Sequence, residues 1–407
     1  MEAVKFSYRK TLVIGLGFLG ISVVWPIFNQ FIPIFLQDTF KLSPAVAFFV
    51  MTWDNLINVF VQPWAGSKSD TTWNRFGRRK PWIMVGAPIA AVAFIFLPLA
   101  NTLTAIMVFI LITNFGMAIF RSPTVAWLGD LFPSAERSKA NGIINFMGGL
   151  GAAIALFGGG ILFDRFGRPA PFVAGTVLML LASALVIWKV KEPRQIERVE
   201  EERGSVLDNL GTVFGNPDKS GLFVLISILL WFMAYEGLQT GLSSFAVFTL
   251  GVTAGRASVL TTLFAASFLL FAIPSGLIGT KFGRGRTITI GLAGMALFLL
   301  IGFLFVRNET LYAVVLVFSG ISWALINVNS LPLVYDHGDE SKIGMYTGLY
   351  YMASQTAAVL GPVLSGVLVE TMGNDFRFLW LFSMIFIILA GFTMFRVRAT
   401  PKAENRI

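Results

Sequence analysis

Residues 53–79 read Trp53-Asp54-Asn55-Leu-Ile-Asn58-Val-Phe-Val-Gln62-Pro63-Trp-Ala-Gly66-Ser-Lys-Ser-Asp70-Thr-Thr-Trp-Asn-Arg75-Phe-Gly77-Arg78-Arg79. The stretch opens as an apolar helix carrying a carboxylate and closes as a short basic loop. A carboxylate at membrane depth costs on the order of 2.5–3.5 kcal/mol on insertion scales, so it is a functional candidate by default. A basic loop between apolar runs marks the cytoplasmic side.

Composition agrees with a polytopic membrane protein. The chain is 56% hydrophobic and 13% charged, against about 25% charge in soluble domains. The net charge of +9 lies in short loops and forms no separate basic domain, which argues against nucleic acid as a partner. The absence of cysteine excludes disulfides, thiolate metal sites and cysteine nucleophiles. The first apolar run, 11–36, is longer than a signal-peptide core of about 7–15 residues and is read as a retained helix.

Outward from the opening stretch, apolar runs of about 20 residues or more predict twelve spans, beginning with 11–36, 44–66 and 81–100 and ending with 343–369 and 376–396. With both termini in the cytoplasm, 24 of the 31 Lys and Arg fall in cytoplasmic segments and six in outer loops. That bias predicts the orientation. The polar segment between spans six and seven is a cytoplasmic linker. The expected organisation is therefore a six-helix bundle over 1–190, a linker over 191–219 and a second six-helix bundle over 220–407.

The two bundles repeat. At an offset of 206 residues, Asp130 falls on Asp336, Gly142 on Gly348, Gly160 on Gly366, Gly167 on Gly373, and Phe76-Gly77-Arg78 on Phe282-Gly283-Arg284. Gly66 meets Gly276 at 210, as four extra residues near Thr71–Asn74 require. Two six-helix repeats suit a transporter that rocks about a midplane site.

Gly66-x-x-x-Asp70 followed by Arg75-Phe-Gly77-Arg78-Arg79 resembles the loop signature of the major facilitator superfamily. Val61-Gln62-Pro63, Ser69-Asp70 and Arg-Phe-Gly-Arg-Arg-Lys-Pro-Trp are similar to its sucrose/proton symporter branch, which is related to the glycoside–pentoside–hexuronide:cation symporters. Arg121-Ser-Pro-Thr-Val-Ala-Trp-Leu-Gly-Asp130, Glu136-Arg137-Ser-Lys-Ala-Asn141-Gly and Tyr346-Thr-Gly-Leu-Tyr-Tyr351 carry the same resemblance. It implies an all-α major facilitator fold, a monomer in the plasma membrane, no resident cofactor and a proton as coupling ion. The implied solute is a sugar, an α-glucoside disaccharide such as sucrose or maltose. It also implies a cytoplasmic gate of Gly66, Asp70, Arg75, Gly77, Arg78, Arg79, Asp130, Glu136 and Arg137. In that gate Asp70 faces the start of span eleven, and Arg78 or Arg79 reaches Asp130 and Glu136. The second repeat departs from the pattern, since its loop lacks the equivalent of Asp70.

Three charged residues fall well inside a span: Asp54, Arg121 and Glu236. Asp54 lies about 18 Å from Gly66 at helical rise, and Arg121 about 13 Å from Asp130, so both sit near the middle of the bilayer. The economical arrangement pairs them. Arg121 would bind sugar hydroxyls through its planar fork of donors. Asp54 would take the coupling proton, because a neighbouring cation and burial act on it in opposite senses. Glu236 is a second proton or hydroxyl acceptor. The competing role is a static ion pair that locks two helices.

Among the amides Asn29, Gln30, Asn58, Asn114, Asn145, Gln239, Asn327 and Gln355, helical spacing singles out Asn58 and Asn114 as neighbours of Asp54 and Arg121. Trp231 and Tyr350 are the aromatic faces expected to meet a sugar ring. The rival functions are export of another solute on the same fold, sodium-coupled uptake, a transport-dead sensor, and an intramembrane enzyme. The last lacks a metal motif and a base for a serine nucleophile. The midplane charges argue against the sensor.

Overall fold

The computed structural model describes residues 7–132, 134–192, 211, 215, 218–336 and 343–397, and these are helical except for short turns. His337 and most of the 191–219 linker lie outside the described residues. Only helices or closed barrels satisfy every backbone polar group in lipid. The first repeat comprises α1 (Tyr8–Ile34), α2 (Pro44–Met51), α3 (Trp53–Thr71), α4 (Lys80–Phe96), α5 (Leu103–Leu131), α6 (Ser134–Phe166) and α7 (Pro169–Lys189). The second comprises α8 (Ser220–Ser244), α9 (Ala254–Phe282), α10 (Arg284–Phe305), α11 (Glu309–Asp336), α12 (Ile343–Thr371) and α13 (Phe378–Met394).

Among the described residues, eleven helical segments are long and apolar enough to cross a bilayer, with α2 and α3 joined as one, and α13 is a shorter apolar helix of 17 residues. The chain divides into two compact units. The first is Met1–Leu42, Val50–Arg198 and Val252–Thr262, and the second is Ser43–Phe49, Val199–Gly251 and Leu263–Ile407.

The sequence repeat has a backbone counterpart. α1 and α8 each run on into a five-residue π-turn, Phe35–Thr39 and Phe245–Thr249, 210 residues apart. Gly77 and Gly283 have φ of 121° and 94°, and Gly167 and Gly373 have 85° and 75°. Those glycine matches are therefore left-handed turn positions, where a side chain would be strained.

Within the first unit α1 packs on α6 and α7, and α5 on α3 and α4. In the second, α8 packs on α12 and α13, and α10 on α11 and α13. Small residues set the closest crossings, as expected where packing rather than water drives association. A methyl group on Gly116 would come 2.5 Å from the Ala90 backbone nitrogen, whereas one on Gly158 meets nothing within 4 Å. Gly116→Ala is therefore expected to lower stability by about 1–3 kcal/mol through overpacking. Gly158→Ala should be neutral or stabilise by up to about 1 kcal/mol. Melting of the purified protein in detergent checks the pair.

Candidate functional site

Span two is broken at Thr52, which ends α2 and leads into α3 with φ −84° and ψ −6°. Asp54 lies in the first turn of α3, where a helix N-terminus favours a carboxylate. Its carboxylate is hydrogen-bonded by the backbone at Asn55, and the Arg121 charge acts on it. Its second oxygen, Oδ1, is buried without a hydrogen-bond partner.

The register between α3 and α5 shows what else stands at that level. Ser122 Oγ donates to the Gln62 carbonyl at 2.9 Å, and both helices run toward the Asp70–Asp130 end. Eight residues back along each helix, about 12 Å, Asn114 comes level with Asp54. Asn114 is 1% exposed and neither of its amide atoms has a partner. Thr113 Oγ1 and Asn58 Oδ1 are buried and unpartnered as well.

α1 runs the opposite way past α5, with Gly17 against Thr124, and that brings Trp25 and Gln30 toward the same level. Trp25 Nε1 and Gln30 Nε2 are also without partners. An unsatisfied buried polar group costs about 1–3 kcal/mol, so a belt of them is a standing penalty that a polar ligand or water can relieve. Arg121 has an exposed side chain about two turns further along α5 than Asn114, and helical side chains lean back toward the N-terminus, here toward Asp54. Sequence spacing brought Asp54, Asn58, Asn114 and Arg121 forward. Trp25, Thr113 and the break at Thr52 carried no signal that would have marked them.

In the second unit Glu236 lies on α8, half-buried, and its charge acts on the neighbouring Tyr235. The Tyr235 ring stacks on Trp323 of α11 with centroids 4.2 Å apart and planes at 2°, and Gln239 Nε2 donates to its hydroxyl at 3.0 Å. Phe232 meets Trp323 edge-on, and Tyr350 shares a hydrogen bond of 3.0 Å with Ser330. Trp231 is 0% exposed, with its ring packed in the core and its Nε1 buried without a hydrogen-bond partner. The half-buried aromatic beside Glu236 is Tyr235, not Trp231. Asn145 bonds to Asn141 within its own helix.

The basic loop folds into a charge cluster inside the first unit. Asn74 and Gly77 exchange backbone hydrogen bonds of 3.3 and 3.1 Å and close a tight turn, leaving Arg75 stacked outward on Phe76. Arg78 and Arg79 are only 6% and 5% exposed. Arg78 pairs with Asp130 at 2.6 Å, and Arg79 pairs with Asp70 at 2.5 Å and Asp130 at 2.8 Å. Arg79 also donates to Ser69 Oγ and to the Gly66 carbonyl.

Among the described residues, Glu136 is not a partner of either arginine, contrary to the expected link: it stands in the first turn of α6, past the turn after α5. Its neighbour Arg137 instead donates to the Gly129 and Phe132 carbonyls at 3.0 Å, at the end of α5.

The third carboxylate of the cluster is Glu192, which sequence reading placed in the linker. It accepts from the backbone N–H groups of Arg78, Arg79 and Lys80 and from Trp127 Nε1 at 3.2 Å. It thus caps the N-terminus of α4, where the helix dipole favours negative charge. A methyl on Gly77 would come 2.7 Å from its Oε2, so glycine also makes room for this cap. In the second repeat Arg284 pairs with Asp336 and donates to the Pro332 carbonyl at 3.1 Å, so that half keeps the Arg–Asp pair without an equivalent of Asp70.

Comparison with known proteins supplies the family. The sequence profile of the Major Facilitator Superfamily matches residues 12–255 and 241–407. "Multidrug resistance protein 2" of Bacillus subtilis (strain 168) is 24% identical over 406 residues, covering 96% of both chains. The "Isoprimeverose transporter" of Lactiplantibacillus pentosus is 23% identical over 252 residues, 58% of this chain and 50% of that protein. Among solved structures, a point mutant of the nucleoside transporter NupG superposes with a TM-score of 0.76 at 17% identity, over 96% of this chain and 100% of that one.

Proposed function

The chain belongs to the Major Facilitator Superfamily, and from that premise we propose that it is a proton-coupled sugar symporter of the sucrose/proton branch. Its solute is an α-glucoside disaccharide such as sucrose or maltose, carried by alternating access. It works as a monomer in the plasma membrane with both termini in the cytoplasm, an orientation supported by the 24-to-six split of basic residues.

The observation that carries the reading is the polar belt around Asp54. A carboxylate, three amides, a hydroxyl and an indole N–H, buried without full hydrogen bonding, suit a ligand with many hydroxyl groups. Arg121 binds those hydroxyls. Asp54 holds Arg121 by its charge until a proton neutralises it, and Arg121 then turns to the solute. Binding of proton and solute are coupled because each favours the same arrangement. Glu236 and Tyr350 serve as further acceptors in the second repeat.

The full-length likeness to a multidrug resistance protein supports a second reading, proton-driven export of a cationic compound. A cation gains from Asp54 but meets Arg121, which favours a neutral or anionic solute.

A thermal-shift screen of the purified protein separates the two. A ligand at 100 times its Kd adds about 2.7 kcal/mol of stability. Saturable stabilisation by sucrose or maltose, and none by cationic dyes or nucleosides, is the expected outcome. Stabilisation by cationic dyes alone would replace the sugar reading with the export reading.

A further inference from the structure

Asp164 and Glu370 stand 206 residues apart, the offset that relates the two repeats. They occupy the last turns of α6 and α12. Thr253 Oγ1 donates to Asp164 Oδ2 at 2.8 Å. Thr253 also starts α9: its hydroxyl oxygen accepts from Arg256 N at 3.1 Å, and its carbonyl accepts from Ala257 N at 2.9 Å.

Glu370 Oε2 accepts from Ala45 N at 3.3 Å, in the first turn of α2. There Ser43 takes the part of Thr253, with its carbonyl accepting from Ala47 N at 2.9 Å and its Oγ from Val46 N at 3.5 Å. Ser43 and Thr253 are 210 residues apart, as are Ala45 and Gly255.

The backbone crossings repeat as well. Gly160 and Gly255 approach so closely that a methyl on either would overlap the other's carbonyl, and Asp164 lies over Gly255. Gly366, the equivalent of Gly160, lies where a methyl would be 2.9 Å from the Pro44 carbonyl and 3.1 Å from the Ala45 α-carbon. The first crossing lies within the first compact unit and the second within the second. In each, the end of a helix from one repeat holds the start of a helix from the other.

We propose that Asp164 and Glu370 are equivalent latches, each holding the first turn of a helix from the opposite repeat, and that both release when these helix ends separate during the transport cycle. Three features make them latches rather than fixed struts. At both crossings the closest approach is of backbone to backbone, Gly160 to Gly255 and Gly366 to Pro44. Both carboxylates are exposed, so water can replace the bonds they lose. Both sit at a helix N-terminus, where the negative charge is favoured only while the contact lasts. The inference does not depend on which solute is carried.

The absence of cysteine allows a direct test. Ser258, one turn into α9, is 0% exposed and donates to the Leu156 carbonyl at 2.7 Å. In the full chain carrying Ser258→Cys, purified in detergent, maleimide labelling reads how often this crossing opens. Asp164→Ala is expected to speed labelling about two- to fivefold, the loss of one charge–dipole contact. Glu370→Ala should speed it comparably from the other repeat, and the double variant more than either.

A control thiol, Ser183→Cys on α7, is buried away from both crossings and should keep its rate. Unchanged labelling at Ser258→Cys in the Asp164→Ala protein would overturn the proposal. An effect of Asp164→Ala without one of Glu370→Ala would overturn the pairing. A parallel rise at Ser183→Cys would show general loosening and overturn the latch role.

Discussion

Asp54→Asn is expected to abolish solute accumulation driven by a pH gradient while leaving downhill movement of the solute in place. One proton moving down one pH unit supplies about 1.4 kcal/mol, enough for about tenfold accumulation. The wild type in proteoliposomes should approach that ratio, and the variant should stay near one. The reason is local. Asp54 is the carboxylate in the broken span, the Arg121 charge acts on it, and one of its oxygens has no other bond to lose. Asparagine keeps the shape and removes the titration. Solute counterflow in the same vesicles shows whether the carrier still cycles. Full accumulation by Asp54→Asn would remove this residue from coupling and move attention to Glu236.

The second large effect is on stability. Arg79→Ala should cost about 3–5 kcal/mol, the range for breaking a buried ion pair from one side. Arg79 is bonded to Asp70, Asp130, Ser69 Oγ and the Gly66 carbonyl, and its loss leaves Asp130, with a side chain 11% exposed, short of a partner. Arg79→Lys should recover only part of this, because a point charge cannot span Asp70 and Asp130 as the planar fork does. Arg75→Ala, in the same loop but stacked outward on Phe76, should stay within about 0.5 kcal/mol. Melting temperatures of the three variants provide the measurement. Equal losses for Arg75→Ala and Arg79→Ala would mean that the loop matters for its total charge and not for its bonds.

The contrast between these arginines shows where sequence reading stops. The spacing from Gly66 to Arg79 marked all of them alike. Which two turn inward depends on the Asn74–Gly77 turn and on Glu192, more than a hundred residues further along the chain. No local signal in a run of linker charges distinguishes a carboxylate that caps three backbone N–H groups. Trp231 and Tyr235 teach the same lesson on one helix. Both are aromatic residues in an apolar span, and only packing against α11 decides that one is core and the other stands half-buried beside Glu236.

By itself the sequence determined that this is a helical membrane transporter built as two repeats, because lipid demands long apolar spans and repeats leave matched residues at a constant offset. It also brought Asp54 and Arg121 forward, since charge is costly in hydrocarbon wherever the chain folds. Only the tertiary structure decided which polar atoms remain unpaired beside Asp54, how Glu192 joins the basic loop, and that Asp164 and Glu370 grip helix starts from the opposite repeat. Those outcomes depend on which helices lie side by side, a matter of packing between residues far apart in the chain that no local pattern encodes.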